Sequence, residues 1–434
     1  MHSSRSTPLT SPGRDHAIDL VRALCVTAVV VLHSLMVGVT VTTDGPVFAN
    51  AGDAGWWLIP VSWMLQVMPL FFVIGGFAGY TAYGRMQERG QPGTAFVGGR
   101  IRRLLLPAVA VIGAAGIGLA LLTLAGVPAE YVETAGYRFG QPLWFLAVFL
   151  LCQALLPLLV RAHRAAPILA ISALAGSAVV VDVLRASTGI EAIGFLNLAF
   201  VWLTMQQLGF LLADGRIDAL SRRTRIRIAV AAIAVLAASF ATGVHSPDLI
   251  ANINPPTTAL ILVGIAHTSA FSLLRAPITA VAERARVARF TEFVSQRAMT
   301  IYLWHMPVLL VLAGASAMLA SVGMLDLPTP ASASWWASRP LWLLLVLGIT
   351  ALISIPLSRI ETIRSPRTVV TTIPTTIATV LGVASIALLL VRGTSTTTVV
   401  VALAALLAAL LLVTRPALQI SHPAQPRAAT RLSV

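Results

Sequence analysis

Lysine is absent from this 434-residue sequence, and charged residues of every kind make up only 11 % of it. Soluble globular proteins carry roughly 25 % charged residues, so the composition excludes a water-soluble fold. Disorder is excluded as well, because disordered chains combine low hydrophobicity with high charge, whereas 57 % of these residues are hydrophobic. The mean hydropathy of +0.87 indicates a polytopic membrane protein.

Cysteine is also scarce, and Cys25 and Cys152 both lie inside apolar runs. There is no CxxC pair, so we expect neither a disulfide framework nor a metal site, and no bound cofactor. The polar residues 1–17 lack the short apolar core and cleavage site of a signal peptide. We therefore expect the first apolar span to be retained.

Apolar runs divide the chain into twelve segments that we interpret as helices crossing about 30 Å of hydrocarbon, of which the fifth and the seventh are short. None of them alternates polar and apolar residues as a transmembrane strand does. The sequence therefore predicts an all-α polytopic transmembrane helix bundle. The predicted spans are 18–41, 59–80, 104–126, 141–160, 168–184, 193–213, 228–243, 257–274, 300–322, 340–358, 371–391 and 397–414.

The arginines test this division. With both termini cytoplasmic, 26 of the 30 arginines lie in inner segments and four lie in outer ones, a strong positive-inside bias. Because they stand between apolar spans and not in one patch, we interpret them as topology determinants and expect no nucleic-acid partner. The localisation predicted from this pattern is a bacterial plasma membrane.

The predicted organisation has four parts: a polar tail at 1–17, a membrane core at 18–358, two additional spans within 359–414, and a disordered tail at 415–434. The two halves of the chain share no motifs, which counts against a transporter built from internal repeats.

The first span carries the densest set of ionisable residues: Asp15, Asp19, Arg22 and His33. Their spacing places them on one helical stripe, with His33 about 16 Å from Arg22 along the axis. Ionisable groups in hydrocarbon are costly and are therefore functional candidates. The ordinary alternatives are an acidic helix start with an i,i+3 ion pair, and a core histidine bonded to another helix.

Two later segments offer further candidates. Arg100 and Arg103 precede an apolar run and are either topology anchors or a phosphate site. Tyr302 and His305 share one face of the ninth span, which begins near Thr300, so we expect His305 at the cytoplasmic membrane edge. The aromatic residue is equally consistent with an interface belt.

The remaining polar and small residues within spans have structural interpretations. Asn197, Gln206, Gln207 and His267 are expected to join helices by hydrogen bonds. The glycines of 69–80 are expected to permit close helix packing; they are Gly75, Gly76 and Gly79.

The order of these motifs resembles acyltransferase family 3, a family of integral membrane O-acyltransferases. Asp19-x-x-Arg22 followed by His33 is similar to its opening signature. The later segments that resemble the family are FFVIGGF (71–77), RIRRLLLP (100–107), PLWFLAVFLL (142–151) and IYLWHMPV (301–308). Gly75 stands where the family often has serine, and Phe149 stands where one branch has glutamate.

The resemblance implies transfer of an acyl group, expected to be acetyl, from acyl-CoA to a hydroxyl. The implied partners are acyl-CoA, a glycan, glycolipid or other envelope or secondary-metabolite acceptor, and the lipid bilayer. The alternatives are a secondary transporter or flippase for an envelope precursor, and a non-catalytic membrane scaffold.

It also implies residue roles. Histidine titrates in the range a general base needs, so His33 is the predicted base, with Arg22 and Asp19 beside it in the catalytic set. Arg100 and Arg103 would bind the CoA phosphates. Tyr302 and His305 would polarise the thioester carbonyl or support His33 across the helix interface.

Overall fold

The computed structural model describes residues 15–53, 55, 57–363 and 371–414. Short 3-10 turns at Gln141–Leu143, Glu191–Leu196 and Ser358–Thr362 join some of its helices, and one hairpin supplies its strands. The elements are α1 (His16–Met36), β1 (Val37–Thr42), β2 (Gly45–Asn50), α2 (Leu58–Leu65), α3 (Met68–Glu88), α4 (Gly93–Leu124), α5 (Ala129–Gly140), α6 (Trp144–Ala165), α7 (Pro167–Thr188), α8 (Asn197–Ala213), α9 (Arg222–Ala241), α10 (Ala259–Ala282), α11 (Ala285–Gln296), α12 (Ala298–Ser321), α13 (Ala333–Leu357), α14 (Thr372–Arg392) and α15 (Thr396–Thr414).

The membrane-spanning architecture agrees with the sequence. Within the described residues, twelve helical stretches are long and apolar enough to cross a membrane, and each overlaps one predicted span. The predicted helix bundle is therefore confirmed. The predicted tail at 415–434 and residues 1–14 of the N-terminal tail lie outside the described residues.

The predicted end of the first span is wrong. The helix α1 ends at Met36, and the next residues form a β-hairpin whose register runs from Val37 opposite Asn50 to Thr42 opposite Gly45. Five of the six residues of β1 are β-branched and favour a strand, and Gly45 supplies the positive φ of the turn. An apolar run alone does not distinguish a strand from the end of a helix.

Close backbone packing joins α3 and α8 at the centre of the bundle. A Cβ atom on Gly76 would lie 2.4 Å from the carbonyl oxygen of Gln206, and one on Gly209 would lie 2.1 Å from that of Val73. A Cβ atom on Gly79 would likewise lie only 2.4 Å from Cδ1 of Leu156 on α6. The predicted role of these glycines in close packing is therefore confirmed.

The two C-terminal helices belong to the same core. They pack against each other and against α4 and α6. A Cβ on Gly116 of α4 would meet Val399 at 2.5 Å, and one on Gly382 of α14 would meet Leu150 at 2.8 Å. The helices α14 and α15 thus cover faces of α4 and α6 that would otherwise meet lipid. The division of the chain into a core and added spans stays a prediction.

Hydrogen bonds between helices satisfy several polar groups inside the bundle, as predicted for three of the four residues. His267 is the exception, because its Nδ1 has no hydrogen-bond partner among the described residues. Asn197 Nδ2 donates to Asp182 Oδ1 at 2.9 Å, Gln206 Nε2 donates to the Cys152 carbonyl at 3.0 Å, and Gln207 Oε1 accepts from His163 Nδ1 at 2.9 Å.

We predict that Gly76→Ala destabilises the bundle by about 1–3 kcal/mol, because the added methyl group would collide with backbone that cannot move aside. The matched control is Gly84→Ala on the same helix, where nothing lies within 4 Å of the new Cβ. Thermal unfolding in detergent should show a lower melting temperature for the first variant alone. Equal melting temperatures would contradict the close contact between α3 and α8.

Candidate active site

A hydrogen bond between two imidazoles lies at the centre of the candidate site. His33 occupies the last turn of α1, and its Nδ1 is 2.9 Å from Nε2 of His305 on α12. The ring planes differ by only 17° and the centroids are 5.0 Å apart, so the bond runs close to the plane of both rings. His305 is completely buried at this contact with α1, and its predicted place at the cytoplasmic membrane edge stays a prediction.

The partners of this pair assign its protons. Nδ1 of His305 donates to the carbonyl of Tyr302, because a carbonyl oxygen can only accept. In neutral His305, Nε2 therefore carries the lone pair and accepts from Nδ1–H of His33. The lone pair of neutral His33 is consequently on its Nε2, which is the nitrogen left to take a proton. His305 thereby sets both the tautomer and the ring orientation of His33.

Tyr302 supports this arrangement from inside the bundle. Its hydroxyl donates to the carbonyl of Pro142, at the turn before α6. Its ring packs edge-on against Phe145, with the centroids 4.8 Å apart, and stands 5.9 Å from the ring of His305. The hydroxyl is therefore already bonded to the protein, and the structure favours a supporting position for Tyr302.

Tyr302 and Phe145 begin a wall of aromatic side chains, which Phe149 and Phe71 continue. Phe149 stacks on Phe145 at 5.4 Å, and Phe71 contacts both rings. A Cβ atom on Gly75 would lie 3.1 Å from the ring of Phe149. The two positions that depart from the pattern of acyltransferase family 3 are thus neighbours, and the phenylalanine ring leaves little room for a side chain at position 75.

The predicted arginines gather near the other end of α1. Nη2 of Arg22 is 2.7 Å from Oδ1 of Asp19, which confirms the i,i+3 ion pair. Arg100 lies close enough to Arg22 and Arg103 for all three positive charges to interact. The structure therefore brings together one arginine of α1 and two of α4.

The site residues fall into two groups and not one. Arg22 and His33 lie on one unbroken helix eleven residues apart, which separates them by about 16 Å along the axis. Asp15 belongs to neither group, since it caps α1 through Ile18 N and also pairs with Arg275 of α10. Its predicted role as a helix start is therefore confirmed.

The sequence analysis missed Glu361, which follows α13. Its Oε1 accepts from the backbone nitrogen of Thr300 at 2.8 Å and also from the Thr300 hydroxyl. The carboxylate thereby satisfies the N-terminus of α12, the helix that carries His305. Arg102 donates to the carbonyl of Ile363 at 2.7 Å, so the same segment also contacts the arginine run of α4. In the sequence, Glu361 stands among arginines of an inner segment, and nothing in its spacing indicates that it contacts α12.

Together these features define a class of protein: a multi-pass membrane protein with a buried histidine pair at one end of a helix and an arginine group at the other. A family model described as an acyltransferase domain matches residues 15–359 of the chain. The chain therefore belongs to acyltransferase family 3, and it is a membrane acyltransferase. Comparison with curated proteins gave no match, and neither did comparison with solved structures.

We predict that Glu361→Gln weakens the N-terminus of α12 by about 1 kcal/mol, because an amide lacks the charge that favours a helix N-terminus. We expect kcat for acyl transfer to fall, because His305 is held less firmly in its position along α12. KM for the donor should stay unchanged. Melting temperatures and steady-state kinetics measure both effects. Glu292→Gln on the exposed side of α11 is the matched control, and equal behaviour of the two variants would contradict this role of Glu361.

Proposed function

We propose that this protein transfers an acyl group, acetyl in the first instance, from acyl-CoA to a hydroxyl of a glycan, glycolipid or other envelope or secondary-metabolite acceptor. One observation carries the proposal: the hydrogen bond from His33 to His305, which leaves Nε2 of His33 as a proton acceptor. Membership of the acyltransferase family supports the reaction class.

In the proposed reaction, Nε2 of His33 takes the proton of the acceptor hydroxyl as its oxygen attacks the thioester carbon. The new C–O bond forms, the C–S bond breaks, and the CoA thiolate leaves and takes the proton from the His33 imidazolium, which restores the neutral base. A hydroxyl has a pKa far above neutral, so its attack needs such a base. The hydrogen bond to His305 holds the imidazole in the required tautomer throughout.

The separation of the two residue groups suits a long donor. Phosphate groups bind arginine side chains through paired hydrogen bonds, and Arg22, Arg100 and Arg103 supply three guanidinium groups within interaction range. CoA carries its phosphates and its thioester at opposite ends of a long flexible arm. A donor whose phosphates contact the arginines can therefore extend its thioester along α1 toward His33.

The two alternatives from the sequence fit the geometry less well. A scaffold predicts that Arg22, His33 and His305 point to unrelated places, whereas the two histidines share a hydrogen bond. A transporter or flippase does not account for an acyltransferase family match over 15–359. We place the enzyme in a bacterial plasma membrane on the strength of its arginine distribution.

We predict that His33→Ala lowers acyl transfer by about 10²- to 10⁴-fold, the contribution of a positioned general base. A strain that lacks the gene for this protein is complemented with either the wild-type or the variant gene. Mass spectrometry should detect acylated glycans or glycolipids with the wild-type gene and not with the variant. His267→Ala removes a membrane histidine outside the site and serves as the control. Unchanged activity of a correctly inserted His33→Ala protein would refute the assignment.

We also predict that the double variant Arg100→Ala/Arg103→Ala raises KM for acyl-CoA about tenfold or more, because two charge-assisted contacts to phosphate are lost. KM for the acceptor should change little. Arg284→Ala/Arg286→Ala removes the same charge from exposed residues at the start of α11 and is the control. A larger effect on the acceptor than on the donor would reject the donor-binding role.

A further inference from the structure

A second group of arginines lines a pocket that the proposed reaction does not use. The pocket has a volume of about 430 Å³ and lies between the start of α9 and the second half of α10. Arg222 and Arg225 of α9 line it together with Asp218, Ser272 and Arg275. Three guanidinium groups thus face one cavity at the arginine-rich end of the bundle.

The hydrogen bonds show which of these groups is available to a ligand. Arg275 is occupied, because its two terminal nitrogens contact Asp15 and, at 2.7 Å, Asp218. Arg225 donates to Ser272 Oγ at 2.8 Å and lies 3.8 Å from Oδ1 of Asp218, and its Nε is buried. Arg222 is exposed and makes no hydrogen bond or ion pair with any described residue. Arg222 is therefore the arginine of this pocket that is available to a ligand.

The arginines at the start of α9 are only partly neutralised within the protein, because Asp218 pairs with Arg225 but also with Arg275. Four arginines occur within the first six residues of the helix, and its first turn contains no acid. The N-terminus of a helix carries a partial positive charge, so basic side chains there repel it. An anion bound beside Arg222 would relieve that repulsion, accept hydrogen bonds from its guanidinium group and interact with the positive charge of Arg225.

The surface of α9 that continues from the pocket indicates which kind of molecule carries the anion. Arg222, Ile226, Val230 and Ile233 follow one another at intervals of four, four and three residues, so they form one stripe along α9. The three apolar side chains are 42 %, 59 % and 48 % exposed. In a bilayer this stripe faces lipid, and the guanidinium group of Arg222 lies at the end of the stripe where α9 begins.

We propose that the pocket binds the phosphate headgroup of an anionic phospholipid, whose acyl chains lie along the exposed stripe of α9. Basic pockets between membrane helices suit such headgroups. A lipid satisfies both halves of the surface, whereas a free phosphate would satisfy only the arginines. Because Arg275 also holds Asp15, the lipid site adjoins the start of α1, the helix that carries His33.

The test measures lipid binding directly and does not depend on acyl transfer. The full-length protein in phosphatidylcholine nanodiscs is supplied with phosphatidylglycerol, and retained lipid and melting temperature are measured. We expect Arg222→Gln to weaken phosphatidylglycerol binding about fivefold and Arg222→Gln/Arg225→Gln about 25-fold, as expected for the loss of one and two basic contacts. The single variant keeps the test valid if the double variant fails to fold, since Arg222 has no partner in the described protein.

The matched control is Arg223→Gln/Arg227→Gln, which removes the same charge from α9 at positions that do not line the pocket. It should bind phosphatidylglycerol within twofold of the wild type. Equal losses in control and pocket variants would overturn the proposal, because they would indicate only general surface attraction. Inorganic phosphate and glycerol phosphate are added separately without phosphatidylglycerol. If either compound raises the melting temperature as much as phosphatidylglycerol does, and loses this effect in Arg222→Gln, that result overturns the lipid assignment in favour of a soluble phosphate.

Discussion

Hydrocarbon offers no hydrogen-bond partner, so a polar side chain inside the bundle must find one on another helix. The pair formed by His33 and His305 meets this requirement across the interface of α1 and α12. Its geometry also assigns the proton of each ring, because the chain of donors ends on the carbonyl of Tyr302. The same contact thus stabilises the interface and, in the reaction we propose, prepares His33 as a base.

The helix α1 is held at both of its ends by contacts of different kinds. At its start, Asp15 caps the helix and pairs with Arg275, and Asp19 pairs with Arg22. At its end, the bond to His305 is followed directly by the β-hairpin, which packs on α12. These contacts keep charged groups at the arginine-rich end, about 16 Å from the imidazoles. That separation is the reason why we propose a long, phosphate-bearing donor.

Aromatic side chains line the proposed site on the side of Phe145 and Phe149. Phe149 occupies the position where a branch of the family has glutamate, and Gly75 makes room for its ring. Because the surroundings of Tyr302 are apolar on this side, proton transfer in our proposal rests on the histidine pair. Glu361 contributes from a distance, since it satisfies the N-terminus of the helix on which His305 stands.

The sequence by itself determined the number of membrane spans, because apolar runs of sufficient length must be helical in lipid. It also identified Asp15 as a helix start, the pairing of Asp19 with Arg22, and the glycines that let α3 approach α8, since these depend on local spacing or residue size. The end of the first span was misjudged, because hydropathy does not separate the strand after Met36 from helix.

Only the tertiary structure decided which polar groups meet. His33 and His305 are 272 residues apart in the chain, and Thr300 and Glu361 are 61 apart. The order of the spans along the chain does not fix which of them become neighbours, nor how far each is shifted along its axis. That arrangement follows from side-chain packing between helices, which no periodicity within a single helix records.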